Sequence, residues 1–276
     1  MPNNWTPLQP DLQTILAADP NPLATLAHGD TPAIVLRQAY DPETGLDLIA
    51  RFIERGLMDD PNSPEAGRAR KRIDIGTSLG NRGNDQDAFF SHADETRALF
   101  SNLFDGMPNP VDLVYDALST LGAGKQVATA YEPDGRTYGP AIFRVHYEGH
   151  RYKPHIDHVT LREKRFNYDV TRFTHQFAGV LCMQNTAAIG QATQSVLHRC
   201  FWKPEIQPHI DNDTFYDYAA ENDVHSFQVD LEPGDLYFFN TGLIHEVPAL
   251  TGDDPRVVLA VFIGYSEDDN EIFVWA

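Results

Sequence analysis

The chain has 276 residues, of which 42% are hydrophobic and 11% aromatic, so it can bury a sizeable core as one large domain or two small ones. Its 21 basic and 40 acidic residues give a formal net charge of −19, which repels phosphate groups and argues against binding to nucleic acid or to an anionic membrane. No apolar run approaches the roughly 20 residues of a membrane span, and the first residues lack the basic and apolar regions of a signal peptide. We therefore expect a cytoplasmic protein whose partner is a small molecule.

Residues 1–127 show the patterns of one strand, three helices and a polar segment. Residues 32–40 predict a strand, and the helical spacing of apolar residues in 41–57 predicts an amphipathic helix. Two further helices are predicted over residues 94–104 and 109–122. The polar residues 58–90 are expected to form a long loop, a candidate lid over a site.

From about residue 128 the pattern changes to short β-rich runs separated by Gly, Pro, Asn and Asp. Many short strands at such spacing predict a sandwich or a barrel. We therefore predict a single domain over residues 1–276 that is mainly β with α support. Its core, over residues 128–276, is a double-stranded β-helix, the cupin-like antiparallel jelly roll, and the helices of residues 1–127 pack on one face of it. The runs that predict strands are residues 141–150, 177–185, 195–202, 226–240 and 256–266.

The triplet His-Ile-Asp occurs twice, at His155-Ile-Asp157 and at His209-Ile-Asp211. A His and an Asp two residues apart on a strand point to the same side, and two His with one carboxylate are a common ligand set for Fe(II) in enzymes that activate dioxygen. The first copy follows a strand-like run, whereas the second follows two prolines in a polar, loop-like segment. We favour the first copy as half of a metal site.

A distant His and an Arg follow in the order that such a site requires. His245 comes after a Pro-Gly-Asp turn and an aromatic strand, and Arg256 opens the strand-like run 256–266. A guanidinium at that position can bind a carboxylate through two parallel hydrogen bonds. His146 and His150 flank the first copy and are expected to support the metal site rather than to bind the metal.

The pattern H-x-D, then H, then R, with L-x-P-G-D-L-x-x-F before the second His, resembles the core of the Fe(II)/2-oxoglutarate-dependent oxygenases over about residues 128–266. The segment EPDGRTYGPAIFRVHYEGHRYKPHID is similar to the one that leads into the metal motif of the free-standing alkaloid halogenase and hydroxylase group. The resemblance implies that His155, Asp157 and His245 are the catalytic iron ligands and that Arg256 binds the distal carboxylate of 2-oxoglutarate.

The same resemblance implies the chemistry. Fe(II), 2-oxoglutarate and O₂ would be used to hydroxylate an unactivated C–H bond, or to desaturate or cyclise the substrate, with release of succinate and CO₂. The substrate would be a small molecule, such as a natural product or an amino-acid derivative.

Three positions depart from the patterns of these groups. The halogenases have Gly where this chain has Asp157, and that missing carboxylate opens a position for chloride, so Asp157 argues against halogenation. Val258 occupies the position where many relatives have a Ser that contacts 2-oxoglutarate, so a second contact to its carboxylate must come from elsewhere. The turn at residues 187–197 also replaces a more usual Gly-Gly-acid turn.

A locally positive segment surrounds the first copy. It holds seven basic residues against four acidic ones, in a chain that is acidic overall, and is expected to steer an anionic co-substrate or substrate toward the metal. The alternative is that these side chains only form the solvent face of strands. The basic residues are Arg144, Arg151, Lys153, Arg162, Lys164, Arg165 and Arg172.

Two other functions fit part of the pattern. A cupin-like metal enzyme or binding protein would use the same jelly roll without 2-oxoglutarate, and Arg256 would then have no assigned role. A non-catalytic binding module would retain the triad only as a vestige. Binding of 2-oxoglutarate distinguishes the first from an oxygenase, and binding of a metal distinguishes the second.

Overall fold

The computed structural model describes residues 5–61, 72–186, 195–252 and 254–276. The α-helices in these ranges are α1 (Leu12–Ala18), α2 (Pro22–Ala27), α3 (Pro42–Glu54), α4 (Leu79–Arg82), α5 (Gln86–Leu103), α6 (Pro110–Leu121), α7 (Gln207–Asp211) and α8 (Phe215–Glu221). The strands are β1 (Ile34–Leu36), β2 (Ile73–Ile75), β3 (Gln126–Thr129), β4 (Ile142–His146), β5 (Tyr152–His155), β6 (His175–Gln184), β7 (Ser195–Phe201), β8 (Ser226–Val229), β9 (Leu236–Asn240), β10 (Leu243–Val247), β11 (Arg256–Tyr265) and β12 (Glu271–Trp275).

Two sheets form the jelly roll. The larger sheet has the order β1-β9-β6-β11-β12-β3, with β4 paired to β11 and β2 paired to β4. The smaller sheet has the order β5-β10-β7-β8. Most neighbouring strands are antiparallel, and β12 with β3 is a parallel pair. The predicted jelly-roll core is confirmed.

Successive residues of the larger sheet face two different layers, as the period of two along a strand requires. On β6, Phe177 and Leu181 belong to a buried cluster with apolar residues of α3, α5 and α6. Ala178 and Val180 of the same strand belong to a second cluster with Leu197 of the smaller sheet. The N-terminal helices therefore pack on one face of the larger sheet, as predicted, and its other face is turned toward the smaller sheet.

The predicted helices begin where capping residues stand. Asp41, Asp85 and Asn109 precede α3, α5 and α6, and each side chain accepts a hydrogen bond from a backbone N–H of the first turn. Pro42 and Pro110 occupy first-turn positions of α3 and α6, where the missing N–H costs nothing. Helix α5 begins at Gln86, eight residues before the predicted start at residue 94, and its first two turns include the buried Phe89 and Phe90.

The prediction of a long loop over residues 58–90 is wrong for the part that the structure describes. Strand β2, helix α4 and the beginning of α5 lie within this segment. Strand β2 is a short edge strand paired with β4, so its three residues carry too little alternation to be recognised from sequence. Residues 62–71 of the predicted lid lie outside the described residues.

The second His-Ile-Asp copy is helical and not loop-like. His209 and Asp211 lie in α7, where Pro208 stands in the first turn. The flanking proline that suggested a loop in fact starts this short helix. None of the described helices combines the length and apolar character that a membrane span requires.

Candidate active site

Strand pairing brings the first His-Ile-Asp copy and the distant His together. His155 ends β5, and its partner directly opposite on the antiparallel strand β10 is His245. Asp157 follows β5, and its Oδ2 lies 3.7 Å from His155 Nε2 and 3.6 Å from His245 Nε2. The possible ligand atoms of the three side chains all lie within 4.8 Å of one another, and no other such His, Cys, Asp and Glu cluster occurs in the described ranges.

Backbone carbonyls fix the orientation of both imidazole rings. Nδ1 of His155 lies 2.7 Å from the carbonyl oxygen of Lys153, and Nδ1 of His245 lies 2.9 Å from that of Leu243. A carbonyl oxygen can only accept a hydrogen bond, so each Nδ1 carries the proton and each Nε2 presents a lone pair. Burial lowers the pKa of His245, which favours the neutral ring that binds metals.

This donor set fits a divalent cation. Two Nε2 lone pairs and the Oδ2 of Asp157 point toward one another without a proton between them, an arrangement that repels itself unless a cation lies in the middle. Two imidazoles and one carboxylate are the ligand set typical of non-haem Fe(II). The chain thus supplies ligands for Fe(II) and leaves the other coordination positions to small molecules.

Three contacts hold Asp157 in place. Its backbone N–H donates to the carbonyl of Thr241 at 3.1 Å, and the Gln176 side chain donates to its backbone carbonyl at 3.1 Å. Arg162 Nη1 donates both to Asp157 Oδ1 and, at 3.0 Å, to the carbonyl of Ile156. Gln176 was not predicted, because it comes from a distant strand. Arg162 was predicted only as a member of the positive segment and not as a contact of Asp157.

A cavity of about 300 Å³ lies between the two sheets and contains the triad in its wall. Its walls combine charged groups with apolar side chains, so it suits a small molecule that carries both. The residues of the larger sheet that line it include Ile142, Arg144, His146, Ala178, Val180, Tyr237, Phe239, Arg256, Val258 and Ala260. Those of the smaller sheet include Tyr152, His155, Ser195, His245 and Val247.

Arg256 lies in the wall of this cavity. It is the first residue of β11, is 5% exposed, and pairs with His146 of β4. Burial lowers the pKa of the Arg256 guanidinium, so a bound carboxylate would stabilise its charge. Tyr237 and Ser195, whose hydroxyl oxygens lie 3.2 Å apart, line the same cavity. Neither was predicted, although Tyr237 and Phe239 are two residues apart on β9 and therefore face the same side of the sheet.

The two flanking histidines lie beside Arg256 and not in the triad. The ring of His146 stacks on that of His150 at 4.4 Å between centroids, and His146 Nδ1 lies 3.4 Å from Arg256 Nη1. Burial and the nearby arginine side chains lower the pKa of His146, so its ring is neutral. A neutral ring can accept a hydrogen bond from Arg256 and help to fix the direction of its guanidinium.

The structure separates the basic residues that line the cavity from those that form ion pairs or lie on the outer surface. Lys153 pairs with Asp213 at 2.7 Å and, with Arg151, lines a separate surface depression. Arg165 pairs with Glu163, and Arg172 pairs with three acidic groups. Of the seven basic residues, Arg144 and Arg162 line the cavity that contains the triad.

The second His-Ile-Asp copy makes contacts of its own. Nδ1 of His209 lies 3.2 Å from Thr214 Oγ1, and Asp211 Oδ1 accepts from the Gln207 amide at 2.8 Å. Neither side chain belongs to the metal-ligand cluster of the described residues.

Comparison with known proteins adds a family and a fold. The family model of "Carrier-protein-independent halogenase WelO5" matches residues 8–276. The N-substituted L-amino acid dioxygenase from Burkholderia ambifaria AMMD has a similar structure, with a TM-score of 0.60, 17% sequence identity, and coverage of 95% of this chain and 91% of that chain. Its complex with alpha-KG gives a TM-score of 0.59 at 17% identity, with the same coverage of 95% and 91%. At this identity the likeness shows a shared fold. No curated protein sequence matches the chain.

Proposed function

Since the chain belongs to the carrier-protein-independent halogenase family of Fe(II)/2-oxoglutarate-dependent oxygenases, we propose that it hydroxylates an unactivated C–H bond of a small molecule. Fe(II) is its cofactor, and 2-oxoglutarate and O₂ are its co-substrates. The substrate is a natural product or an amino-acid derivative, and succinate and CO₂ are released.

The presence of Asp157 in the triad carries this proposal. The related halogenases have Gly at this position, and the position left open is the one that chloride takes. Here the carboxylate points at both Nε2 atoms, at 3.7 and 3.6 Å, and Arg162 and Gln176 hold it there. Because the ligand set is complete, the site supports transfer of oxygen rather than of halogen.

Arg256 selects the co-substrate. The triad comes mainly from the smaller sheet and Arg256 from the larger, so a ligand that reaches both must span the space between the sheets. 2-Oxoglutarate has a carboxylate at each end, which suits a metal on one side and a guanidinium fork on the other. The Tyr237 hydroxyl lines the same cavity and can donate the second contact that Val258 cannot make.

The remaining walls position the substrate. When bound, Fe(II) and 2-oxoglutarate supply the oxidation by O₂. Ile142, Ala260 and Phe262 line the cavity with apolar surface. This surface excludes water and positions a hydrocarbon part of the substrate close to the triad. The distance at which the C–H bond is held decides between hydroxylation and the related outcomes of desaturation and cyclisation.

The test is anaerobic titration of the metal-free protein with Fe(II) and then with 2-oxoglutarate, followed by visible absorption. We expect the charge-transfer band of the 2-oxoglutarate complex in the wild type and in His209→Ala, which is the matched control from the second copy. His155→Ala should lose the band. Arg256→Ala should need a 2-oxoglutarate concentration roughly 10-fold higher or more to form the band, because a bidentate charged contact is lost.

Chloride provides a second readout in the same titration. Because Asp157 occupies the position that halogenases leave open, chloride should leave the wild-type band unchanged; a shift would point to halogenation. A wild type without any band would contradict dependence on 2-oxoglutarate and favour the cupin-like metal enzyme.

A further inference from the structure

Arg144 lies inside the cavity without an acceptor for its guanidinium. It stands in the middle of β4, between Ile142 and His146 on the face that lines the cavity. No hydrogen bond or ion pair joins its side chain to another residue in the described part of the chain, and its Nε is buried without a partner there. A buried donor left unsatisfied costs free energy, and more so when it is charged.

The other arginines of the cavity have acceptors. Arg162 bonds to Asp157, and Arg72 Nη2 lies 2.6 Å from Asp74 Oδ2. Under the proposed function, Arg256 receives the distal carboxylate of 2-oxoglutarate. Asp74 is the register partner of Arg144 on β2, yet its Oδ2 is taken by Arg72 and Asn81 and its Oδ1 makes no hydrogen bond within the described residues. Arg144 is therefore a surplus positive charge in the wall.

Strand register places this charge near the position proposed for the distal carboxylate of 2-oxoglutarate. Arg144 is the direct partner of Val258 on β11, and Val258 occupies the position of the serine that contacts 2-oxoglutarate in many relatives. Paired residues on antiparallel strands have Cβ atoms about 5 Å apart. The Arg144 side chain, which is longer than that of Val258, therefore reaches the part of the cavity that Val258 faces.

From this placement we infer that Arg144 binds a carboxylate that a ligand carries into the cavity, an inference that rests on the proposed function. Two ligands could carry it: 2-oxoglutarate, through the carboxylate that also meets Arg256, or the primary substrate, which would then be a carboxylic acid. The chemistry is the same in both cases, because a guanidinium fork matches the two oxygens of a carboxylate.

The experiment measures binding without turnover, with Co(II) in place of iron and calorimetry as the readout. In the first arm, 2-oxoglutarate is titrated into the wild type, Arg144→Met, Arg144→Lys and Lys153→Met. In the second arm, 2-oxoglutarate is saturating and N-acetyl-L-phenylalanine or its amide is titrated. Lys153→Met is the matched control, since it removes one positive charge of the same sequence segment from the outer surface. Circular dichroism and urea unfolding check that each variant is folded.

Either of two results supports the inference. A loss of 2-oxoglutarate affinity of roughly 10-fold or more in Arg144→Met, smaller in Arg144→Lys and absent in Lys153→Met, assigns the carboxylate to the co-substrate. The second result has three parts: Arg144→Met binds 2-oxoglutarate as tightly as the wild type does, the wild type binds the acid but not the amide, and Arg144→Met no longer binds the acid. This result assigns the carboxylate to the primary substrate.

The inference is overturned if the wild type binds 2-oxoglutarate and Arg144→Met matches the wild type in both arms, whether or not the acid binds. A wild type that binds no 2-oxoglutarate is a different failure, because it removes the proposed function itself.

Discussion

The two carboxylate oxygens of Asp157 have different neighbours. Oδ2 faces the His155 and His245 rings at 3.7 and 3.6 Å, whereas Oδ1 accepts from Arg162, which also donates to the Ile156 carbonyl. Arg162 thereby holds the carboxylate so that one oxygen points to the metal position. A carboxylate that turned both oxygens to the metal would occupy a position needed by a co-substrate. Arg162 is therefore a positioning residue.

Replacing Arg162 should weaken the metal site. We expect Arg162→Met to bind Co(II) or Mn(II) roughly 10- to 100-fold more weakly, which is the usual effect of removing a group that orients a metal ligand. Titration of the metal-free protein measures it. Arg172→Met is the control, because Arg172 pairs with acidic groups at other sites, such as Asp269 at 3.0 Å. Equal metal affinity in Arg162→Met and wild type would refute the positioning role.

Sequence patterns could predict the groups that lie at fixed spacing along strands. His155 and Asp157 are two residues apart, and His245 and Arg256 stand in strands whose order along the chain matches the resemblance. Arg162, Gln176 and Tyr237 could not be assigned, because their roles depend on which residue lies opposite in space. The positive segment shows the same limit: its charges were visible in the sequence, but only register and pairing separate Arg144 from Lys153.

At the scale of elements, the turn between β8 and β9 ties the roll to the N-terminal segment. Tyr40 N–H donates to the Gly234 carbonyl at 3.0 Å, and Asp235 accepts from the Gln38 N–H at 2.8 Å and from Arg37 at 2.7 Å. Gly234 has a φ of +93°, and a Cβ there would lie 2.3 Å from the Tyr40 carbonyl oxygen. The turn thus needs glycine both for its backbone conformation and for the close approach of residue 40.

Gly234→Ala should therefore destabilise the fold more than a substitution that only strains the backbone. We expect a loss of about 2–4 kcal/mol in the free energy of unfolding, since left-handed strain and overpacking add. Gly124→Ala is the matched control: its φ is +88°, but nothing lies within 4 Å of its Cβ position, so it should lose only about 1–2 kcal/mol. Urea unfolding of both variants gives the difference, and equal losses would mean that the contact with Tyr40 is unimportant.

The type of an element was predictable wherever a segment had a long run of regularly spaced apolar residues or a clear capping residue, as α3, α6 and β11 show. Two short elements were missed: β2 has three residues, and α7 is a single turn that prolines made look like a loop. In both, pairing or packing with distant residues decides the conformation, and a local pattern contains no information about it.

At the scale of the whole molecule, the charge distribution is uneven. The chain carries a net charge of −19, yet four arginines line the cavity: Arg72, Arg144, Arg162 and Arg256. The outer surface therefore carries the acidic excess, and the cavity forms a positive region that attracts small anions. Self-repulsion of the acidic surface opposes folding, while exposed ion pairs favour it, and salt weakens both.

Salt should raise the stability of this protein, because the repulsion outweighs the ion pairs. Exposed pairs contribute about 0–1 kcal/mol each, while 40 acidic residues against 21 basic ones leave many carboxylates with no cation to pair with. We expect Tm at pH 7 to rise by about 2–5 °C between roughly 20 mM and 300 mM NaCl. A variant with Asp47→Asn, Asp105→Asn and Asp116→Asn removes three exposed carboxylates that form no ion pair within the described residues, so its Tm should respond less to salt. Calorimetry at both salt concentrations measures this, and a Tm that falls with salt would show that the ion pairs dominate.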